Sequence, residues 1–469
     1  MGFRSGISTT ALVIFLGGCA TYYQSNSEFN NVFERGDLNK ALKTLREKPS
    51  EGAGKKQFLY FANNGLILSL LGKYAESNQY LEKAYTFGED YRINYANEVA
   101  SYLTNPNFTV YRGEDHEHLM LLYYKAINFL KMKKTDEALV ECRRLNIRLQ
   151  QLSDRYDSPE KYRRDAFVHT LMGIIYETDL DYNNAFIAYR NALDVYDSDY
   201  ARLFSITAPP QLKQDLLRSA KLSGFDDEFE DYKLKLDMPN YEPDVSRTGG
   251  ELIFFWHNGL SPVKTEWSLN FVISSHSGQI VFTNADMGMR YAFATSDYSS
   301  KEVRALTDME IYRLTFPKYV ERPPYFSSAQ LSLGTEIYPV QLLEDVNKVA
   351  FKCLDERMNL ELSKALIRVA IKKATEHQFR KDDKRLGAII GMMNAITERA
   401  DTRNWQTLPH SIYYTRIPLR EGANEVTLQT TDYQGRKQDH TFTYEVKKGE
   451  THFHTFTSLE SLMPSSGYY

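Results

Sequence analysis

The chain has 469 residues, 42% hydrophobic, 13% aromatic and 25% charged, with 57 Lys and Arg against 61 Asp and Glu. That length suggests about two or three domains with cores of their own, and the apolar content excludes a disordered chain. A net charge of −4 and a pI near 6.3 argue against a nucleic-acid partner.

At the N-terminus, Arg4 is the only charge before Cys19, and Thr9 to Leu16 forms a short apolar run leading into Leu16-Gly17-Gly18-Cys19. A positive start, a short apolar stretch and small residues before a cut describe a secretory signal. The run is too short to span about 30 Å of hydrocarbon, which takes about 20 residues. Leu-Gly-Gly-Cys resembles the bacterial lipobox, whose cysteine becomes a lipidated N-terminus after cleavage. Residues 1–18 are therefore expected to be a lipoprotein signal peptide and Cys19 the lipid anchor. By resemblance to enterobacterial sorting, Ala20 rather than Asp after the cysteine points to the outer membrane, facing the periplasm. Beyond the signal no stretch is apolar enough to span. Of the other cysteines, Cys142 and Cys353 are expected to be buried free thiols.

The next segment, 19–236, reads as helical and repetitive. Gly173, Ala185 and Ala192 are small residues at offsets of 12 and 7, with Tyr176 and Tyr189 beside them. This resembles a tetratricopeptide repeat, two antiparallel helices whose backbones approach where small residues cross. The same offsets recur at Ala126, Ala138 and Leu145, at Gly65, Ser77 and Ala84, and at Phe29, Ala41 and Lys48. Insertions must separate the copies, one of them a helix near Tyr91 to Tyr102. Further helices are expected over Pro210 to Ser223 and Asp227 to Leu236.

Residues 237–250 hold Pro239, Pro243, Gly249 and Gly250 and read as a linker. From 251 to 469 the pattern changes to strands: Glu251 to Trp256, Glu266 to Ser274, Gly278 to Thr283, Glu310 to Phe316, Ser327 to Leu333 and Thr335 to Gln341. Asn258-Gly259 is a strong turn signal. A helical insert at 343–400 follows, a long helix carrying Val346, Ala350, Cys353 and Met358 and then a second from Leu386 to Arg399. Strands resume at Ser411 to Ile417, Asn424 to Thr430, His440 to Val446 and Thr451 to Thr457, compatible with a small antiparallel sandwich. The fold class expected is α + β multidomain: a tetratricopeptide-like helical solenoid followed by a mixed β domain with an inserted helical hairpin.

Three segments carry a wider resemblance: Asn258-Gly259-Leu260-Ser261-Pro262-Val263-Lys264-Thr265-Glu266, Phe316-Pro317-Lys318-Tyr319, and Glu398-Arg399-Ala400-Asp401-Thr402-Arg403-Asn404-Trp405 leading to Leu408-Pro409. On these the chain is similar to a family of uncharacterised Gram-negative lipoproteins with N-terminal tetratricopeptide-like repeats. The resemblance implies an address and no activity.

Signatures of chemistry are sparse. The chain has no Gly-x-Ser-x-Gly elbow, no His-Glu-x-x-His, no phosphate loop and no dinucleotide fingerprint. The pairs His452/His454 and His116/His118 have ligand spacing, but each reads as packed or helix-start histidine, so neither metal nor cofactor is expected. Lys364, Arg368 and Lys372 form a basic stripe read as a solvated face, and Gly387 and Gly391 a close helix contact. Asp401, Arg403 and Trp405 are read not as catalytic but as a latch: Arg403 forks onto Asp401, and Trp405 covers the junction and donates its ring N–H, locking the insert to the terminal strands. Two functions remain. One is a non-enzymatic scaffold binding envelope proteins or peptides through its repeats, held to the membrane by lipid on Cys19. The other is an envelope hydrolase with its site in the C-terminal domain.

Overall fold

The computed structural model describes residues 21–90, 110–155, 162, 164–245, 248–276, 279–284, 289–294, 311–358 and 400–462. The signal and Cys19, the helix near Tyr91 to Tyr102, the basic stripe, the Gly387/Gly391 pair and the second insert helix lie outside the described residues.

Four helical hairpins occupy the first half: α1 (Ser27–Glu34) with α2 (Leu38–Arg46), α3 (Gln57–Leu70) with α4 (Tyr74–Asp90), α5 (Asp115–Lys131) with α6 (Thr135–Arg155), and α7 (Ala166–Thr178) with α8 (Tyr182–Val195). The small residues sit where each pair crosses. A Cβ on Gly173 would lie 2.4 Å from Tyr189 Cε1, and one on Gly65 2.5 Å from Leu81 Cδ2. Ala185 and Ala192 are fully buried. Each turn needs one left-handed residue: Gly36 (φ 78°) and Gly72 (φ 74°) in the first two, but Lys133 (φ 58°) and Leu180 (φ 65°) in the others. Asp37 and Asp181 then cap the second helices by accepting the amides of Lys40 and Asn184. Beyond the hairpins, α9 (Pro210–Ser223) packs on α8, and α10 (Asp226–Lys235) follows.

The strands are β1 (Gly250–Asn258), β2 (Val263–His276), β3 (Gln279–Asn284), β4 (Met289–Ala294), β5 (Ile311–Val320), β6 (Phe326–Leu333), β7 (Glu336–Pro339), β8 (Gln341–Asp345), β9 (Ser411–Leu419), β10 (Gly422–Asp432), β11 (Lys437–Val446) and β12 (Thr451–Ser458). They form three sheets, ordered β12-β1-β9-β8, β11-β10-β6-β7 and β4-β3-β2-β5. The first two face each other across Leu252, Phe254, Trp256, Leu331, Val426 and Leu428.

Several expectations need correcting. The terminal strands do not make a sandwich alone: β9 and β12 flank β1, and β12 runs parallel to it. The turn at Asn258-Gly259 exists, with Gly259 at φ 68°, yet β1 and β2 enter different sheets rather than forming a hairpin. The single strand expected at Thr335 to Gln341 is two, β7 and β8, in different sheets. The insert begins later than 343: Leu343 and Glu344 belong to β8, and Asp345 caps the helix α11 (346–358) by accepting the Lys348 amide at 2.8 Å.

The helical part does not close on itself. One hydrophobic core runs through all four hairpins and continues into Ile253, Phe255, Leu343, Val346, Trp405, Ile412 and Tyr414. Alternation on β1 explains this, since successive side chains point to opposite faces. Leu252, Phe254 and Trp256 enter the sandwich, while Ile253 and Phe255 enter the helical core. The change of character at 237–250 is a change of secondary structure across which packing continues.

Gly173→Leu is expected to destabilise the protein by about 1–3 kcal/mol, the cost of overpacking a close contact. The displaced ring of Tyr189 is buried and donates to Glu177 at 2.9 Å, so it has nowhere to retreat. Chemical denaturation checks this; an unchanged midpoint would contradict the crossing.

Candidate functional site

The segment 400–410 bridges the strand part and the first helices of three hairpins. Arg403 forks onto Asp401 at 2.8 and 2.6 Å, reaches the Lys55 carbonyl at 3.3 Å and stacks 5.1 Å over the Tyr111 ring. Burial opposes charge on Asp401, yet Arg403 holds it below the usual carboxylate range. The amide of Trp405 donates to Glu117 Oε1 at 2.5 Å, Gln406 Nε2 to Asn30 at 2.6 Å, and Thr407 Oγ1 to Asn63 at 2.7 Å. Asn30, Asn63 and Glu117 stand on α1, α3 and α5. The fork of Arg403 onto Asp401 is present, and the segment is seated on the repeats; the second insert helix that it was expected to lock lies outside the described residues. The ring N–H of Trp405 has no hydrogen-bond partner among the described residues, contrary to expectation.

Carboxylates buried at this helix–sheet seam are held back from ionising. Burial raises Glu117 to about 7, although it accepts from Tyr111, Trp405 and the Glu114 amide. Asp165, the cap of α7, and Glu344 on β8 share the Tyr200 hydroxyl at 3.0 and 2.6 Å, and Tyr162 donates to Asp165 at 2.5 Å. Burial, reinforced by the charge of Asp165, pushes Glu344 well above its ordinary value, and burial raises Asp165 too. Beside them is a cavity of about 20 Å³ lined by buried side chains, His116, Asp165 and Glu344 among them. That is room for about one water molecule.

The histidine pairs split. His116 packs edge-on to Tyr319, while His118 lies on Phe58 and bonds the Arg112 carbonyl at 2.8 Å. His454 stacks on Phe254, 5.2 Å away, and shares a hydrogen bond with the Tyr444 hydroxyl at 2.9 Å; His452 faces Glu450. Among the described residues no three His, Cys, Asp or Glu side chains are placed to hold a metal ion. Cys142 and Cys353 are free and buried.

The open site lies elsewhere. A cleft of about 1010 Å³ runs between α9, the segment before β1, the β6–β7 turn and the β9–β10 turn. Its floor is a buried ion network. Arg416 on β9 meets Glu177 of α7 at 2.8 Å, Glu251 of β1 at 2.6 Å and Asp215 of α9 at 3.2 Å. Arg218 of α9 meets Glu177 at 2.6 Å and Asp215 at 2.8 Å. Burial opposes charge here too, but the two guanidinium groups win, holding Glu177 at about 2 and Glu251 below its usual range. Tyr241, Tyr338 and Asn424 contribute to the walls. Sequence reasoning missed this network. Its signal was a lone Arg416 within the largely apolar Ile412 to Leu419 and a lone Glu177 ending the apolar run from Phe167 to Tyr176, since charges are rarely buried unpaired.

The protein is thus α + β, with tetratricopeptide-like hairpins packed on a two-sheet sandwich. No protein-family model and no curated protein matches the chain. Solved structures similar to it include MamA 41-end from Desulfovibrio magneticus RS-1, at 17% identity over 45% of this chain and 92% of that one, with a TM-score of 0.29. BtubC (BKLC) from P. vanneervenii is 15% identical over 47% and 82%, with a TM-score of 0.31. A putative kinesin light chain from Podosopora anserina, with nearly identical TPR-like repeats, is 12% identical over 46% and 92%, with a TM-score of 0.29. Scores this low carry neither fold nor function to this chain.

Glu344 makes stability depend on pH in a definite direction. Its folded-state pKa is raised, so the folded form binds a proton that the unfolded chain releases near about 4.3. Stability from this site is therefore present at low pH and lost as pH rises toward the folded value. Glu344→Gln, neutral at every pH, is expected to match the parent near pH 5 and to gain on it by pH 8 in urea midpoint. A variant that falls further behind at pH 8 than at pH 5 would contradict the assignment.

Proposed function

We propose that this chain is a lipid-anchored protein of the bacterial envelope that binds a partner protein in the cleft above Arg416. The observation that carries the binding role is the contrast between the two sites. The cleft is open and large enough for a ligand, at the upper end of the about 300–1,000 Å³ common for binding pockets. Its floor carboxylates are locked as anions by arginine, the opposite of a group poised to move a proton near neutral pH. The carboxylates whose ionisation burial opposes there, Asp165 and Glu344, border a cavity with room for water alone. A hydrolase needs both properties in one place, so a binding scaffold is the better reading.

The first helices of three hairpins are engaged by Trp405, Gln406 and Thr407 of this same chain, so the binding surface we propose is the cleft. The membrane tether rests on the Leu16-Gly17-Gly18-Cys19 motif, and the outer membrane on Ala20. Among the described residues no helix is long and apolar enough to cross a membrane.

A photo-crosslinking residue at Tyr338, on the cleft wall, is expected to give discrete protein adducts in intact envelopes, where one at Val140 on the outer face of α6 gives none. Cys19→Ser should remove the protein and its adducts from the membrane fraction. Adducts equal at both positions, or none at Tyr338, would sink the binding reading. A Cys19→Ser protein still processed and membrane-bound would sink the tether.

A further inference from the structure

The cleft is unequally charged. Glu177 and Glu251 answer Arg218 and Arg416 in the floor. Among the described residues, what remains of the lining is Asp244, Glu336, Glu421, Glu425 and Glu450 against Arg420. Setting aside Glu450, which Lys133 reaches at 2.5 Å, and Asp244, which has a partner of its own, three carboxylates stand against one guanidinium among the described residues. They stand on two separate walls: the β6–β7 turn with the start of β7, and the β9–β10 turn with the start of β10. Glu336, Glu421 and Glu425 are exposed to solvent. Tyr241 and Tyr338 add two half-buried rings whose faces attract cations, at about 0.5–1 kcal/mol each where exposed.

Resting on the binding reading above, we propose that the cleft takes an extended segment of a partner protein carrying two or more lysine or arginine side chains. Charge complementarity sets the sign of the ligand. The size of the cleft and the spread of its carboxylates set the kind. A single small cation would need its carboxylates gathered at one point, whereas these sit on separate walls around about 1010 Å³. An extended chain presents side chains in alternation and can meet both walls at once. The floor network fixes the shape of the site, because its ions are paired with one another and leave the rim to choose the ligand.

The test is fluorescence anisotropy on the full processed chain with a labelled alternating Lys-Ala decapeptide. A Glu-Ala decapeptide serves as a second probe and spermidine as a competitor. The Lys-Ala peptide should bind, weaken as salt rises, and lose about tenfold or more in affinity when Glu421→Lys and Glu425→Lys are combined. Glu336→Lys, on a different wall, should weaken it independently, which guards against a fault in one hairpin; unchanged melting curves establish that each variant is folded. The Glu-Ala peptide should not bind, and spermidine at equal charge should not displace the Lys-Ala peptide. Binding indifferent to the reversals, equal binding of the acidic peptide, or full displacement by spermidine overturns the proposal. Crosslinking at Tyr338 separates the two readings. Adducts there without any basic-peptide preference defeat this inference alone, and their absence defeats the binding reading itself.

Discussion

A single strand, β1, has no solvated face, and the architecture follows from that constraint. Its run Leu252-Ile253-Phe254-Phe255-Trp256 is wholly buried, with even positions in the sandwich and odd positions in the helical core. A strand buried on both sides must be covered on both sides. The second sheet covers one face and the hairpins the other, so helices and sheet become two layers around a shared strand. Burying such side chains contributes about 1.5–3 kcal/mol each, far more than surface contacts across the seam could supply.

The same seam explains where charge is tolerated. Charges at a helix–sheet boundary lose water and must find partners there. Arg416 and Arg218 find three carboxylates; Asp165 and Glu344 share a tyrosine hydroxyl, and burial raises both above their ordinary values. One network floors an open cleft with permanent charge, while the other sits beside a water-sized cavity. This division favours recognition over catalysis. The seat of Thr402 to Thr407 on Asn30, Asn63 and Glu117 belongs to the same seam, with the repeats holding an extended segment of their own chain.

Much of the local structure was legible in the sequence. Small residues at offsets of 12 find all four hairpins, because backbones that nearly touch leave no other choice at Gly65 and Gly173. Most strand positions followed from alternation and turns to within a few residues, but β4 was not foreseen and β7 and β8 were read as one. What was not legible is long-range. Nothing local says that β12 pairs parallel with β1, or that Val340 marks a switch between sheets. The Asp401–Arg403 fork spans two residues and could be foreseen, whereas its contact with Lys55, 348 positions away, could not. The cleft was hidden for the same reason, since its floor draws one or two residues from each of four distant elements. The doubly apolar β1 was the available clue, because one solvated face would have produced alternation with polar residues.

Native-state hydrogen exchange tests the shared core most directly. If β1 unites the two layers, the slowest amides of α7 and those of Ile253, Phe254 and Phe255 open together. They should show one free energy and one denaturant dependence, since contiguous packing opens as a unit. Slow helical amides that open at clearly lower free energy, while those of β1 stay protected, would mean that the layers fold separately, and the account would fail.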